Sequence, residues 1–214
     1  MAAVPTKKDS YHHGDLRETL MQASLELIDE GGVQALSLRK AARKAGVSSG
    51  APYHHFDSRQ ELLAALATQG FRLLGELMDE ATEAAAAEPI AQLEACGRSY
   101  VRFAREHTAY FRVMFRPELA APESYPGDRK PGEAVFERLV GRVLAIQEAG
   151  HAPPGDPEAM ILLAWSVAHG LSSLMVDGPL CVATEEPMVE MDPEVMGETV
   201  MRVFSAVLLG QSRP

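Results

Sequence analysis

The stretch Ser37–Phe56, SLRKAARKAGVSSGAPYHHF, decides how the rest of the chain is read. Ser37 is suited to cap a helix, so a short helix is expected from Leu38 to Ala45. Gly46 stands where the chain leaves that helix, a position that often needs a positive φ. A second, very short helix is expected from Val47 or Ser48 to about His55. Ala42 is small where two helices must approach closely. Val47 is placed to plug the angle between them, and Ala41 and Phe56 offer further apolar contact. Helix, tight turn and helix in this form is the pattern of a helix-turn-helix that docks in DNA. Taken alone, the same residues also fit an ordinary helical hairpin.

The composition of the second helix suits a groove. Ser49, Gly50 and Ala51 are small, which lets the helix sit deep with its first N–H groups near phosphate. Tyr53, His54 and His55 add larger side chains with polar tips. Pro52 is tolerated in the first turn, where few helical N–H groups are bonded.

The flanks are helical too. A preceding helix is expected to open near Asp15, with Glu18 as its capping-box partner. Leu16, Leu20, Ala23, Leu27 and Ile28 recur at helical spacing, and Gly31-Gly32 ends the run. On the other side, Ser58-Arg59-Gln60-Glu61 is a second capping box. It opens a long helix carrying Leu62, Leu63, Leu66, Leu73, Leu74 and Leu77, which ends before Pro89, a helix breaker and a seam. Further helices are expected at about 90–106, 108–115, 132–149, 156–177 and 192–209. The segments 117–132, with four prolines, 151–157 and 178–193 read as loops. No run alternates as a strand does. The fold class is all-α.

The 214 residues, 46% apolar, suffice for a buried core. Two cysteines, Cys96 and Cys181, argue against a disulfide framework or a thiolate zinc site and fit a reducing cytoplasm. No uninterrupted stretch of eighteen apolar residues appears, so no membrane span is expected, and the first residues lack the apolar region of a secretory signal. The net charge of −10 is unevenly spread. Residues 1–72 carry nine Lys/Arg and eight Asp/Glu, net +1, and residues 73–214 carry eleven and twenty-two, net −11. A polyanion is acceptable only at the N-terminal end.

Tyr-His-His occurs at 11–13 and again at 53–55. His54 and His55 are neighbours on a short helix, so their side chains diverge and cannot close on one ion. No Cys or carboxylate supplies the remaining ligands. Contact with the DNA backbone, or packing, fits them better. His12 and His13 belong to an arm before the first helix, either loosely ordered or laid along DNA with Lys7 and Lys8.

In the C-terminal part, Phe103, Tyr110, Phe111, Met114 and Phe115 cluster closely, and Trp165 and His169 share a helix face. Core packing accounts for this cluster. So does a ligand pocket with apolar walls and a few polar groups, here His169, Tyr110 and Arg102. Val195, Val200, Val203, Phe204, Val207 and Leu208, with Leu162, Leu163, Leu171, Leu174 and Met175, form a two-fold dimer seam or are buried within one subunit.

The stretch from Tyr11 to about residue 75 resembles the N-terminal domain of TetR-type transcriptional regulators. WSVAHGLSSL, 165–174, resembles a C-terminal domain type of that family marked by a Trp and a His-Gly pair. The resemblance implies an N-terminal three-helix DNA-binding domain, 11–75, with the helix-turn-helix at about 38–57, and a larger helical C-terminal domain, 76–214, for ligand binding and dimerisation. It implies that Ser37, Arg39, Ser48, Ser49, Gly50, Ala51, Tyr53, His54, His55 and Arg59 meet DNA. Arg39 would pair with a guanine, Tyr53 and His54 with phosphates, and Arg59 with a phosphate at the start of the long helix. Pro52 departs from the family, where Leu, Ile or Val is usual. The implied ligand residues are Phe103, Tyr110, Phe111, Met114, Phe115, Trp165 and His169.

The implied protein is a cytoplasmic homodimeric regulator, a repressor released by a small apolar or amphipathic effector. It binds a pseudo-palindromic duplex operator and needs no cofactor, metal or catalytic residue. Two other classes stay open on the residues alone. One is an all-α metal-dependent or hydrolytic enzyme, which needs converging ligands or an acid and a base that the histidine spacings do not supply. The other is a helical scaffold without a DNA role.

Overall fold

The computed structural model describes residues 13–119, 131–152, 155–180 and 192–208. Among them the regular structure is helical throughout: α1 (His13–Gly31), α2 (Leu38–Lys44), α3 (Arg59–Ala84), α4 (Pro89–Glu106), α5 (Thr108–Met114), α6 (Pro131–Glu148), α7 (Glu158–Val176) and α8 (Pro193–Leu208), with short 3-10 turns at Val33–Ala35, Ala51–His54 and Pro117–Leu119. The chain divides into two compact units, Met1–Leu63 and Ala64–Pro214, and α3 contributes to both. The expected arm with Lys7, Lys8 and His12, the Asp15 cap, and most of the loops 117–132 and 178–193 lie outside the described residues.

In the first unit, Leu20, Ile28, Leu36, Ala41, Ala42 and Phe56 are buried and form the centre. The local signals act as their chemistry requires. Ser37 Oγ accepts from the Lys40 N–H at 3.2 Å and starts α2. Ser58 Oγ accepts from the Glu61 N–H at 3.1 Å, while the Glu61 carboxylate reaches back to the Asp57 N–H at 2.6 Å. Gly32 and Gly46 both have φ of 70°.

One element differs from expectation. No α-helix runs from Val47 or Ser48 to His55. Residues 45–50 are turn and bend, and Ala51–His54 is a 3-10 turn. Pro52 supplies no N–H, and proline disfavours the α region for the residue before it, Ala51. The bonds that form are Tyr53 N–H to Gly50 at 3.2 Å and His55 N–H to Pro52 at 2.9 Å.

In the second unit, α4 packs against α5, α6, α7 and α8. Glu88 caps α4, accepting from Ile90 and Ala91. Gly97 of α4 leaves room for the Met201 side chain of α8, which would collide with any Cβ there. The expected seam residues divide. Met175 and Phe204 are buried in this unit, whereas Leu162, Leu163, Leu174, Val195, Val203 and Val207 are exposed. By length and composition alone α7 is apolar enough to cross a membrane, with mean hydropathy 1.7. Reading for uninterrupted apolar runs missed this, because Ser166, His169 and Gly170 break the run without lowering its mean enough.

Candidate functional site

The first candidate surface is the outer edge of the helix-turn-helix. Arg39, Ser48, Ser49, Gly50, Tyr53 and His54 are exposed along it, Ala51 is half-buried, and Tyr53 keeps 50% of its surface accessible. Among the described residues no backbone hydrogen bond uses the N–H of Ser49 or Gly50. The edge thus presents peptide donors, two hydroxyls, a phenol and a guanidinium, the donor set that phosphate and base edges take. Ser37 is half-buried and occupied as a cap. His55 turns inward, and its buried Nε2 has no hydrogen-bond partner.

Arg59 does something else. Its Nε donates to the Leu36 carbonyl at 3.1 Å and one Nη to the Val33 carbonyl at 2.8 Å. These carbonyls flank the turn that leads into α2, and that of Val33 also accepts from the Leu36 N–H at 3.3 Å. The guanidinium that sequence reasoning assigned to a phosphate is thus built into the fold. Its long reach back across the sequence, to partners 23 and 26 residues away, has no local signature.

The second candidate is a cavity of about 830 Å³ in the second unit, lined by α3, α4, the end of α5 and the segment after it, α6, α7 and Met201 of α8. Of the expected ligand residues, Met114, Phe115, Trp165 and His169 line it. Phe103, Tyr110 and Phe111 do not. Phe103 is fully buried and stacks on His107 at 5.2 Å. Phe111 supports the wall from behind, 5.4 Å from the His169 ring and 6.2 Å from Tyr100. Tyr110 packs over Gly70. Arg102 is exposed and ion-paired with Glu106 at 3.0 Å, away from the cavity.

Sequence reading missed Phe71, Met78, Cys96, Tyr100 and Phe136, all part of the wall. Phe115 is the hub, 5.4 Å from Phe71, 6.4 Å from Trp165 and 4.7 Å from His169. Phe136 packs against Trp165 at 5.9 Å. Tyr100 Oη and His169 Nδ1 are 2.8 Å apart. Burial pushes the Tyr100 phenol up and the His169 imidazole down, so both are neutral near pH 7. Burial also pushes the Cys96 thiol up to about 11, which keeps it protonated and unreactive.

One wall, α6, is fixed to its neighbours by arginines. Arg138 holds Asp79 of α3 with two bonds, 2.8 and 2.6 Å. Arg142 donates to Gln92 at 2.7 Å and to Thr82 at 3.3 Å. Among the described residues no three His, Cys, Asp or Glu side chains come together as a metal site.

Residues 20–66 match the family described as bacterial regulatory proteins, tetR family, and residues 93–204 match the tetracyclin repressor-like C-terminal domain. The chain is 34% identical to the HTH-type transcriptional regulator BetI of Rhizobium meliloti (strain 1021), over 50% of this chain and 46% of that protein. It is 32% identical to the class D tetracycline repressor protein of Escherichia coli, over 63% of this chain and 55% of that one. The chain spans about half the length of these curated relatives. A solved protein of unknown function from Rhodococcus sp. RHA1 is 32% identical and superposes with a TM-score of 0.77, covering 94% of this chain and all of that one.

Proposed function

The chain belongs to the TetR family of bacterial regulatory proteins, and from that premise we propose that it is a DNA-binding transcriptional repressor released by a small apolar or amphipathic ligand. The observation that carries this reading is the pairing, in one chain, of an exposed polar helix-turn-helix edge with a large, mostly apolar cavity. Arg39 reads a base edge. Ser48, Ser49, Gly50, Tyr53 and His54 meet phosphates and the groove wall. The ligand occupies the cavity beside Met114, Phe115, Trp165 and His169.

A second copy of the chain covers the exposed apolar side chains of α7 and α8. A two-fold dimer places its recognition elements in successive major grooves, about 34 Å apart, on a pseudo-palindromic operator. The reading head is close to neutral, so its grip comes from helix ends, hydroxyls and a few cations rather than from a basic surface. The protein acts in the cytoplasm, where its DNA is.

The test is fluorescence anisotropy of labelled duplex fragments from the DNA flanking the protein's own gene, at several salt concentrations. The expected result is saturable binding with a modest salt slope, that of a few phosphates per subunit. Failure of every fragment to bind overturns the reading.

A further inference from the structure

The cavity wall is largely apolar, and its polar groups are Arg116, Glu133, Glu137 and the pair Tyr100 and His169, which meet. The two residues come from α4 and α7, 69 positions apart, and bring Oη and Nδ1 to 2.8 Å. The direction of that bond sets what the imidazole offers to a ligand. A phenol is the better proton donor of the two, and a neutral imidazole nitrogen without a hydrogen is a good acceptor. With the two atoms 2.8 Å apart, the phenol O–H directed at Nδ1 is the favoured arrangement. The single proton of the neutral His169 ring is then on Nε2. That nitrogen has no hydrogen bond among the described residues and is not sealed in the core. Its ring forms part of the cavity wall.

A wall residue thus keeps an unengaged hydrogen-bond donor beside a volume bordered by aromatic rings. The charged groups around this space do not favour an ion inside it. Arg116 is paired with Glu118 at 3.0 Å. Glu133 and Glu137 are exposed to solvent at the start of α6. An anion would meet two carboxylates and one arginine already engaged. A cation would face an N–H donor and leave its water without a buried carboxylate to replace it.

We propose that the effector is an uncharged, largely hydrocarbon molecule carrying a carbonyl-type oxygen, which accepts a hydrogen bond from His169 Nε2–H. Tyr100 is the positioning residue that fixes the imidazole tautomer. This assignment rests on the reading of the cavity as the effector site of a regulator.

The test uses the full-length protein and the emission of Trp165, its single tryptophan, whose ring is 6.0 Å from that of His169. The probes share an eleven-carbon skeleton and differ at the head: methyl nonyl ketone, undecanoate and undecylamine. The ketone is expected to change the emission saturably and to bind at least about tenfold more tightly than either ion. His169→Phe keeps a ring in the wall, removes the donor and weakens ketone binding about tenfold. His169→Gln retains an N–H donor and recovers most of the loss. Tyr100→Phe weakens the ketone while leaving the donor in place. Thermal unfolding of each variant checks its fold.

An ion that binds as tightly as the ketone overturns the assignment. So does unchanged ketone affinity in a folded His169→Phe variant, or the absence of any ketone response in the wild type. Binding to a random-sequence duplex pool is measured in parallel. Ketone binding with the expected His169 dependence but no DNA affinity would leave the ligand class standing and remove the regulator reading. DNA affinity without ketone binding would do the reverse.

Discussion

The guanidinium of Arg59, at the start of α3, donates at 2.8 Å to the carbonyl of Val33, 26 residues earlier, where the chain turns from α1 towards α2. With the second bond, to Leu36, it ties the long helix to the loop that presents the helix-turn-helix. Arg59→Ala is expected to destabilise the protein by about 1–3 kcal/mol, because two charge-assisted bonds are lost and, of the two carbonyls, that of Val33 keeps the Leu36 N–H while that of Leu36 loses its donor. Arg59→Lys recovers part of this, since one ammonium cannot span both carbonyls. Urea unfolding midpoints at fixed protein concentration measure the difference. A midpoint unchanged in Arg59→Ala would show the contact to be idle.

Gly46 has φ of 70° and open space where a Cβ would stand. Gly46→Ala therefore strains only the backbone, at about 1–2 kcal/mol. The variant is expected to unfold earlier in urea and to keep the helical signal of the wild type under native conditions. A loss above about 4 kcal/mol would mean that the turn holds more than its dihedral angle.

Asp79 and Arg138 are joined by two hydrogen bonds, and the guanidinium holds the Asp79 carboxyl below its ordinary value. A carboxylate with a depressed folded pKa binds protons more weakly in the folded state than in the unfolded one. Its contribution is complete above the ordinary carboxylate range and is lost as pH falls through the folded pKa, below 3.8. The side chains are 45% and 32% exposed, so the contribution is about 1 kcal/mol or less. Asp79→Asn removes this component. Thermal melts of wild type and variant between neutral pH and pH 3 are expected to converge at the acid end, and a constant gap across the range would refute the assignment.

Val203 and Val207 on α8 are 55% and 69% exposed, and Leu162 on α7 is 53% exposed. Val203→Asp costs the folded subunit little, because the side chain is exposed, but it places a charge in the proposed seam between two copies. Sedimentation velocity is expected to show a dimer for the wild type and a monomer for the variant at micromolar concentration. A variant that stays dimeric would place the seam elsewhere.

Much of the architecture was legible because its signals are local. Ser37, and Ser58 with Glu61, each mark a helix start within a few residues, Pro89 marks where the long helix must already have ended, and the apolar spacing between them needs no knowledge of the fold. The recognition element departs from its expected helix for a local reason of another kind. Pro52 fits the first turn of an α-helix, yet its missing N–H and its effect on Ala51 replace that helix with a 3-10 turn. The cavity was half legible. Met114, Phe115, Trp165 and His169 stood out as an aromatic cluster. Phe71 and Tyr100 did not, because each sits on a helix whose apolar face reads as ordinary core. The bond from Tyr100 to His169 joins two distant helices, and nothing near either residue announces it.

Sequence-specific recognition by the helix-turn-helix is tested most directly by selection of bound sequences from a random duplex pool with the wild-type protein and with Arg39→Ala. The wild type is expected to enrich an inverted repeat whose half-sites lie about one helical turn apart, and Arg39→Ala to lose preference at one symmetric position, with affinity falling by about 1–3 kcal/mol. Enrichment of no motif, or of a motif without two-fold symmetry that the Arg39 variant reads equally well, would contradict it.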